Sequence, residues 1–157
     1  MSMHTRCVTG LLLCGLMTAS GAVLAADPSP AGQCFVAAMK VGDADAVAAC
    51  YVEDGIMWFP GGPMAQGRPA IRDGFAHYFS EHEIKDASLS QMGESASGDT
   101  RTAWGTYAIT AVHKATQTAS VETGRYVDLQ KLVDGKWLYV VDHPSGDPAP
   151  AADDATP

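Results

Sequence analysis

The chain contains no asparagine, so it offers no Asn-x-Ser/Thr acceptor for N-glycosylation. Positive charge is scarce: 10 Lys and Arg stand against 18 Asp and Glu, a formal net charge of −8. Such a surface repels phosphate backbones and anionic lipid, which argues against nucleic acid and membrane surfaces as partners. No glycine-rich loop leads into a Lys of the phosphate-binding kind, and Gly-x-Ser-x-Gly is absent. No set of His and Cys has the spacing of a metal centre. His77 and Glu81 are four residues apart and could share a helix face, but His77 lies off the apolar stripe of its segment. The pair therefore reads as a solvated face. Long hydrophobic runs are also missing. The longest, Val8 to Ala22, falls short of the ~20 residues a membrane span needs.

That run has the form of a secretory signal peptide instead. Arg6 supplies the positive start, Val8 to Ala22 the apolar stretch, and Val23-Leu24-Ala25-Ala26 the small residues for cleavage. Residues 1–26 are expected to be removed, leaving a periplasmic or secreted protein with no membrane attachment. No twin-arginine pair is present, so export in the unfolded state is expected, without a cofactor loaded in the cytoplasm. The remaining ~130 residues suit one domain. Two cysteines stay with it, Cys34 and Cys50. Pairing is plausible in an oxidising compartment. If residues 32–40 and 44–51 form a helical hairpin about Gly42, both cysteines sit at its open end, near enough for a disulfide. Two buried thiols are the alternative.

Apolar periodicity places a first helix over Gly32 to Val41 and a second that Asp43 caps. Gly55 to Phe59 is an apolar run ended by Pro60. It is too short for a helix and reads as a strand buried on both faces. Pro60-Gly61-Gly62-Pro63 is a loop, and Pro69 starts a third helix carrying Ile71, Phe75, Tyr78 and Phe79. Strands are then predicted over Ala87–Glu94, Thr102–His113, Val121–Leu132 and Lys136–His143, the last two joined by a tight turn at Asp134-Gly135. Residues 144–157 have almost no apolar bulk and are expected to be disordered. Helices followed by a run of antiparallel strands predict an α+β domain over 27–143, with helices on one face of a curved sheet.

The segments GDADAVAACYVEDGIMWFPGGP…GRPAI, SGDTRTAWGTYAIT and TGRYVDLQKLVDGKW…D resemble the nuclear transport factor 2-like (NTF2-like) superfamily. The branch they resemble contains the SnoaL-like and ketosteroid-isomerase-like domains. The resemblance covers Gly32 to His143. It implies a cone-shaped fold: a strongly bent antiparallel sheet wrapped on three N-terminal helices, with a pocket at the open end. It also implies a homodimer formed through the sheet.

Function varies widely on such a cone and must be argued from the site. A ketosteroid isomerase needs a carboxylate base, a tyrosine and a protonated aspartic acid. The family pattern puts the base at Phe59 and two of the tyrosines at Phe35 and Phe75, none of which can exchange a proton. Tyr51 and Asp128 retain their polar groups. Asp142 stands near the cone mouth beside His143, but adjacent strand residues point to opposite faces and cannot act together. Asp128, Tyr51 and Asp142 are thus the candidates for chemistry, and none is assigned a catalytic role. The expected pocket lining is Phe35, Met57, Phe59, Trp104, Asp128 and Val140. It would be a hydrophobic cleft with one deep carboxyl, suited to a small hydrophobic molecule carrying a hydrogen-bond donor.

Overall fold

The structure is a computed structural model that describes residues 27–148. The expected signal peptide, and the expected tail from residue 149 onward, lie outside the described residues. The elements are α1 (Pro30–Val41), α2 (Ala44–Ala49), β1 (Tyr51–Trp58), β2 (Met64–Gln66), α3 (Arg68–Glu81), β3 (His82–Ser97), β4 (Thr100–His113), β5 (Ala119–Val133) and β6 (Lys136–Gly146). This is the expected α+β architecture: helices first, then a single six-stranded sheet in the order β2-β1-β6-β5-β4-β3.

Local chemistry starts and stops the helices. Ser29 accepts a hydrogen bond from the Gly32 amide at 3.2 Å, and Pro30 opens α1, where a missing N–H costs nothing. Gly42 ends α1 at φ +67°, a backbone state that a side chain would strain. The Asp43 carboxylate caps α2 through the Ala46 amide at 2.9 Å. The hairpin brings Cys34 and Cys50 to a Cα separation of 5.9 Å, and they form a disulfide.

Several elements differ from the sequence-based expectation. Tyr51, expected at the end of the second helix, begins β1. Burial along β1 is one-sided: Tyr51 and Met57 are buried, whereas Trp58 is 38% exposed. The strand is therefore covered by helices on one face only, not on both. The short strand β2 was not anticipated. Three residues carry too little pattern to stand out, and β2 exists only by pairing with Ile56–Trp58. Strand β6 continues through Pro144 to Gly146, three residues past the expected end. Its pairing with β1 stops at Asp142, so beyond that point it is an edge, where proline is tolerated.

The sheet is antiparallel except for β1 and β6, which run parallel. Bulges interrupt it between Ile84 and Asp86, between Gln91 and Gly93, and where Leu129–Gln130 meet Tyr139–Val141. Each bends its strand and steepens the local twist. The bent sheet closes over α1 and α3, and the buried apolar residues of helices and sheet form a single cluster that includes Met39, Val47, Tyr51, Ile71, Phe75 and Tyr139. Burying side chains of this size stabilises the fold by roughly 1.5–3 kcal/mol each.

The disulfide joins two helices through a short loop. Replacing both cysteines by alanine is expected to lower unfolding free energy by about 3 kcal/mol, read as a drop in the urea midpoint with the slope retained. The native protein should show no reactive thiol at Cys34 or Cys50; reaction at both would show that the bond does not form.

Candidate functional site

A cavity of about 520 Å³ lies between the sheet and the helices, within the size range of small-molecule sites. Phe35, Val36 and Met39 reach it from α1, and Met57 from β1. Phe59 and Pro60 follow on the loop, and Gly74, Phe75 and Tyr78 come from α3. The far wall is made by Ala87 and Leu89 of β3, Tyr107 and Ile109 of β4, Tyr126 of β5, and Tyr139 and Asp142 of β6. The rings hold one another in place. Phe35 meets Phe75 and Tyr139 edge-on at 5.7 and 6.3 Å, and Phe59 lies 5.3 Å from Phe75. Gly74 makes room for the Phe59 ring, which would have to shift to admit a Cβ at that position.

One carboxyl belongs to this apolar wall. Asp142 is 7% exposed, and its Oδ2 accepts a hydrogen bond from the Tyr51 hydroxyl at 2.8 Å. Tyr51 is wholly buried behind it, packed against Tyr139 at 5.1 Å. Burial pushes the Asp142 pKa up to about 7; the Tyr51 hydrogen bond opposes this, and the nearby Asp128 adds to it. Asp128 is the direct partner of Asp142 across β5 and β6. Its own pKa is raised by burial to about 6, against the pull of Gln130, the Ala103 amide and Arg101. Tyr126, on the cavity wall, is pushed up to about 12 by burial and by the two aspartates. The site therefore holds a carboxyl that changes charge near neutrality, backed by a tyrosine that stays protonated.

The structure brings Phe35, Met57 and Phe59 to the cavity wall and leaves three other expected lining residues off it. Trp104 is 42% exposed on the outer face of the sheet, its ring lying against Gly93. Its strand neighbours Ala103 and Gly105 are the buried ones, so alternation places the tryptophan outward. Asp128 faces inward and is buried, but it joins a polar network below the cavity. Gln130 Nε2 donates to Asp128 Oδ1 and to Ser29 Oγ, each at 2.7 Å, so the start of α1 closes that end of the cone. Val140 is the extra residue of the β6 bulge. Tyr139 pairs with Gln130 and Val141 with Leu129, leaving Val140 without a partner.

That bulge also explains Asp142. Without it Tyr139 and Asp142, three apart, would point to opposite faces; with it both line the cavity. His143 turns outward and packs against Trp58, the ring centroids 5.2 Å apart and the planes tilted by 54°, so Asp142 and His143 do not act as a pair. His77 and Glu81 are exposed, as the solvated-face reading requires, yet they stand on the cavity rim, 3.8 Å apart. Val36, Met39 and Leu89 line the cavity without having been singled out. The helical face of Phe35, Ala38 and Met39 carried a signal for α1, but Leu89 had none. Among the described residues no group of three or more His, Cys, Asp or Glu could hold a metal ion. No described helix is long and apolar enough to cross a membrane.

The fold has solved relatives. A ketosteroid isomerase-like protein from Erwinia carotovora atroseptica superposes with a TM-score of 0.68 at 21% identity, over 76% of this chain and 92% of that one. A protein from Streptomyces avermitilis, provisionally named a dehydratase of the NTF2-like family, gives 0.63 at 16% identity, over 76% and 93%. An NTF2-like protein with a cystatin-like fold from Novosphingobium aromaticivorans gives 0.54 at 20%, over 75% and 78%. At these identities the likeness establishes the fold alone. No curated protein matches the chain. The family model of the SnoaL-like domain matches residues 33–140, nearly all of the cone and both walls of the cavity, and the chain therefore belongs to the SnoaL-like domain family of NTF2-like folds.

Proposed function

We propose that the protein is an exported binding domain that takes a small hydrophobic molecule into the cone. The observation that carries this reading is the open cavity of about 520 Å³, walled by aromatic and aliphatic side chains with one carboxyl. An interior left open also disfavours the alternative of a pure protein-interaction module, in which the cone would be filled by its own side chains. The base position of a ketosteroid isomerase is occupied by Phe59, which packs against Phe75 and cannot take a proton. The sequence of residues 1–26 and the Cys34–Cys50 disulfide support a periplasmic or secreted location.

A second reading, a cofactor-independent lyase, cyclase or isomerase, is favoured by Asp142. A carboxyl that titrates near 7 on the wall of an apolar cavity can hold or release a proton at physiological pH. In that case Asp142 exchanges the proton and Tyr51 orients it.

A homodimer through the sheet is supported by the outer face. Trp104, Val127, His143 and Trp58 are consecutive cross-strand neighbours on β4, β5, β6 and β1. Trp104 and Val127 are 42% and 44% exposed, and the row makes a mostly apolar stripe that no described residue covers.

Protein purified from its native periplasm is expected to retain one small apolar molecule per chain in native mass spectrometry. Added ligand at one hundred times its Kd should stabilise the fold by about 2.7 kcal/mol. A melting curve that no apolar compound moves would count against a binding site. If the protein is an enzyme, Asp142→Asn abolishes turnover of its substrate with folding intact; full activity in that variant would eliminate the second reading.

The raised pKa of Asp142 also affects stability. The folded state holds this proton up to about pH 7, whereas an unfolded Asp releases it near pH ~4. The folded state thus binds more protons over that window, and stability falls as pH rises through it. Wild type should lose on the order of 3–4 kcal/mol more than Asp142→Asn between pH 4 and pH 8, measured by urea unfolding. Parallel curves for the two proteins would refute the assignment.

Sedimentation at micromolar concentration should show a dimer for wild type and a monomer for Val127→Glu, which places a charge in the middle of the stripe. A monomeric wild type would exclude the dimer.

A further inference from the structure

Among the described residues no Lys or Arg reaches the cavity wall, whereas Asp142 stands deep in it and Glu81, Glu122 and His77 stand on its rim. Glu122 is fixed there by the Tyr78 hydroxyl, which donates to its Oε1 at 2.9 Å. Arg101, whose charge reaches Asp128, is not part of that wall: it lies over the Trp137 ring at 4.7 Å and 3.6 Å from Glu94. The groups around Asp142 are Tyr51 of β1, Asp128 and Tyr126 of β5, and Tyr139 of its own strand. None of them carries positive charge.

Resting on the binding reading above, we propose that the ligand is an apolar organic cation, a protonated amine on a hydrocarbon or aromatic body, with its ammonium group seated at Asp142. Four physical arguments favour it over other apolar ligands. An anionic ligand would bury its charge beside a carboxyl with no cation to pair, which is costly in a low-dielectric site. A neutral hydroxyl could donate to Asp142 but gains no Coulomb attraction from it. An ammonium gains that attraction inside an aromatic lining that includes Phe35, Tyr126 and Tyr139, and aromatic rings favour cations when water is excluded. The rim glutamates and the net charge of −8 draw cations toward the mouth.

The test uses three probes with one aromatic body: naphthyl-ethylamine, naphthyl-ethanol and naphthyl-acetate, titrated calorimetrically at pH 8 into the mature protein. The amine should bind about tenfold more tightly than the alcohol, with the acetate weakest. Asp142→Asn should cost the amine about tenfold and leave the alcohol within about twofold. Should that variant not fold, the order of the three probes on wild type decides alone. An alcohol or acetate that binds as tightly as the amine overturns the inference and leaves the apolar pocket in place. Failure of all three to bind removes the pocket reading, and this inference with it.

Discussion

Two inward-facing residues three apart on one strand, Tyr139 and Asp142, violate the alternation of a regular β-strand. The bulge at Val140 makes them compatible, and the cavity depends on it. It turns Asp142 toward the interior, where the Tyr51 hydroxyl can reach it. It also keeps the Tyr139 ring in the aromatic cluster with Phe35 and Tyr51. A strand without this extra residue would send the carboxyl into solvent, and the cone would be lined by rings and methyl groups alone.

The carboxyl is kept in an apolar wall by a division of labour between the two aspartates. Asp128 and Asp142 are direct cross-strand neighbours, yet they meet different surroundings. Asp128 is tied to Gln130, which is tied in turn to the cap of α1. This network satisfies Asp128 and anchors the first helix to the sheet. Asp142 has the single hydrogen bond from Tyr51 and faces the cavity. The environment therefore makes one carboxyl a structural group and the other an available one, as burial and hydrogen bonding together dictate.

Phenyl rings stand at positions 35, 59 and 75, and Phe75 packs against both of the others, which makes this part of the cavity wall apolar. What polarity remains is concentrated at Asp142 and on the rim. The cavity thus presents one deep acidic point in a hydrophobic enclosure.

Much of the architecture was legible in the residues themselves. Asp43, Gly42 and Pro69 mark helix ends, Asp134-Gly135 marks a hairpin, and the cysteine spacing about Gly42 matches the disulfide, because caps, turns and short loops are decided by local chemistry. Phe35 and Met57 lie on α1 and β1, elements that their apolar pattern announces, and Phe59 follows β1 directly. Trp104 and Val140 could not be placed, since which face of a strand looks inward depends on bulges and on the neighbour across the ladder. Asp128 needed knowledge of where α1 begins to cover the sheet, a contact spanning about a hundred residues of chain. Composition and local pattern were enough for an α+β cone with an aromatic interior. Which carboxyl faces the cavity follows from the packed sheet, because that choice is made by a one-residue shift in register between two paired strands.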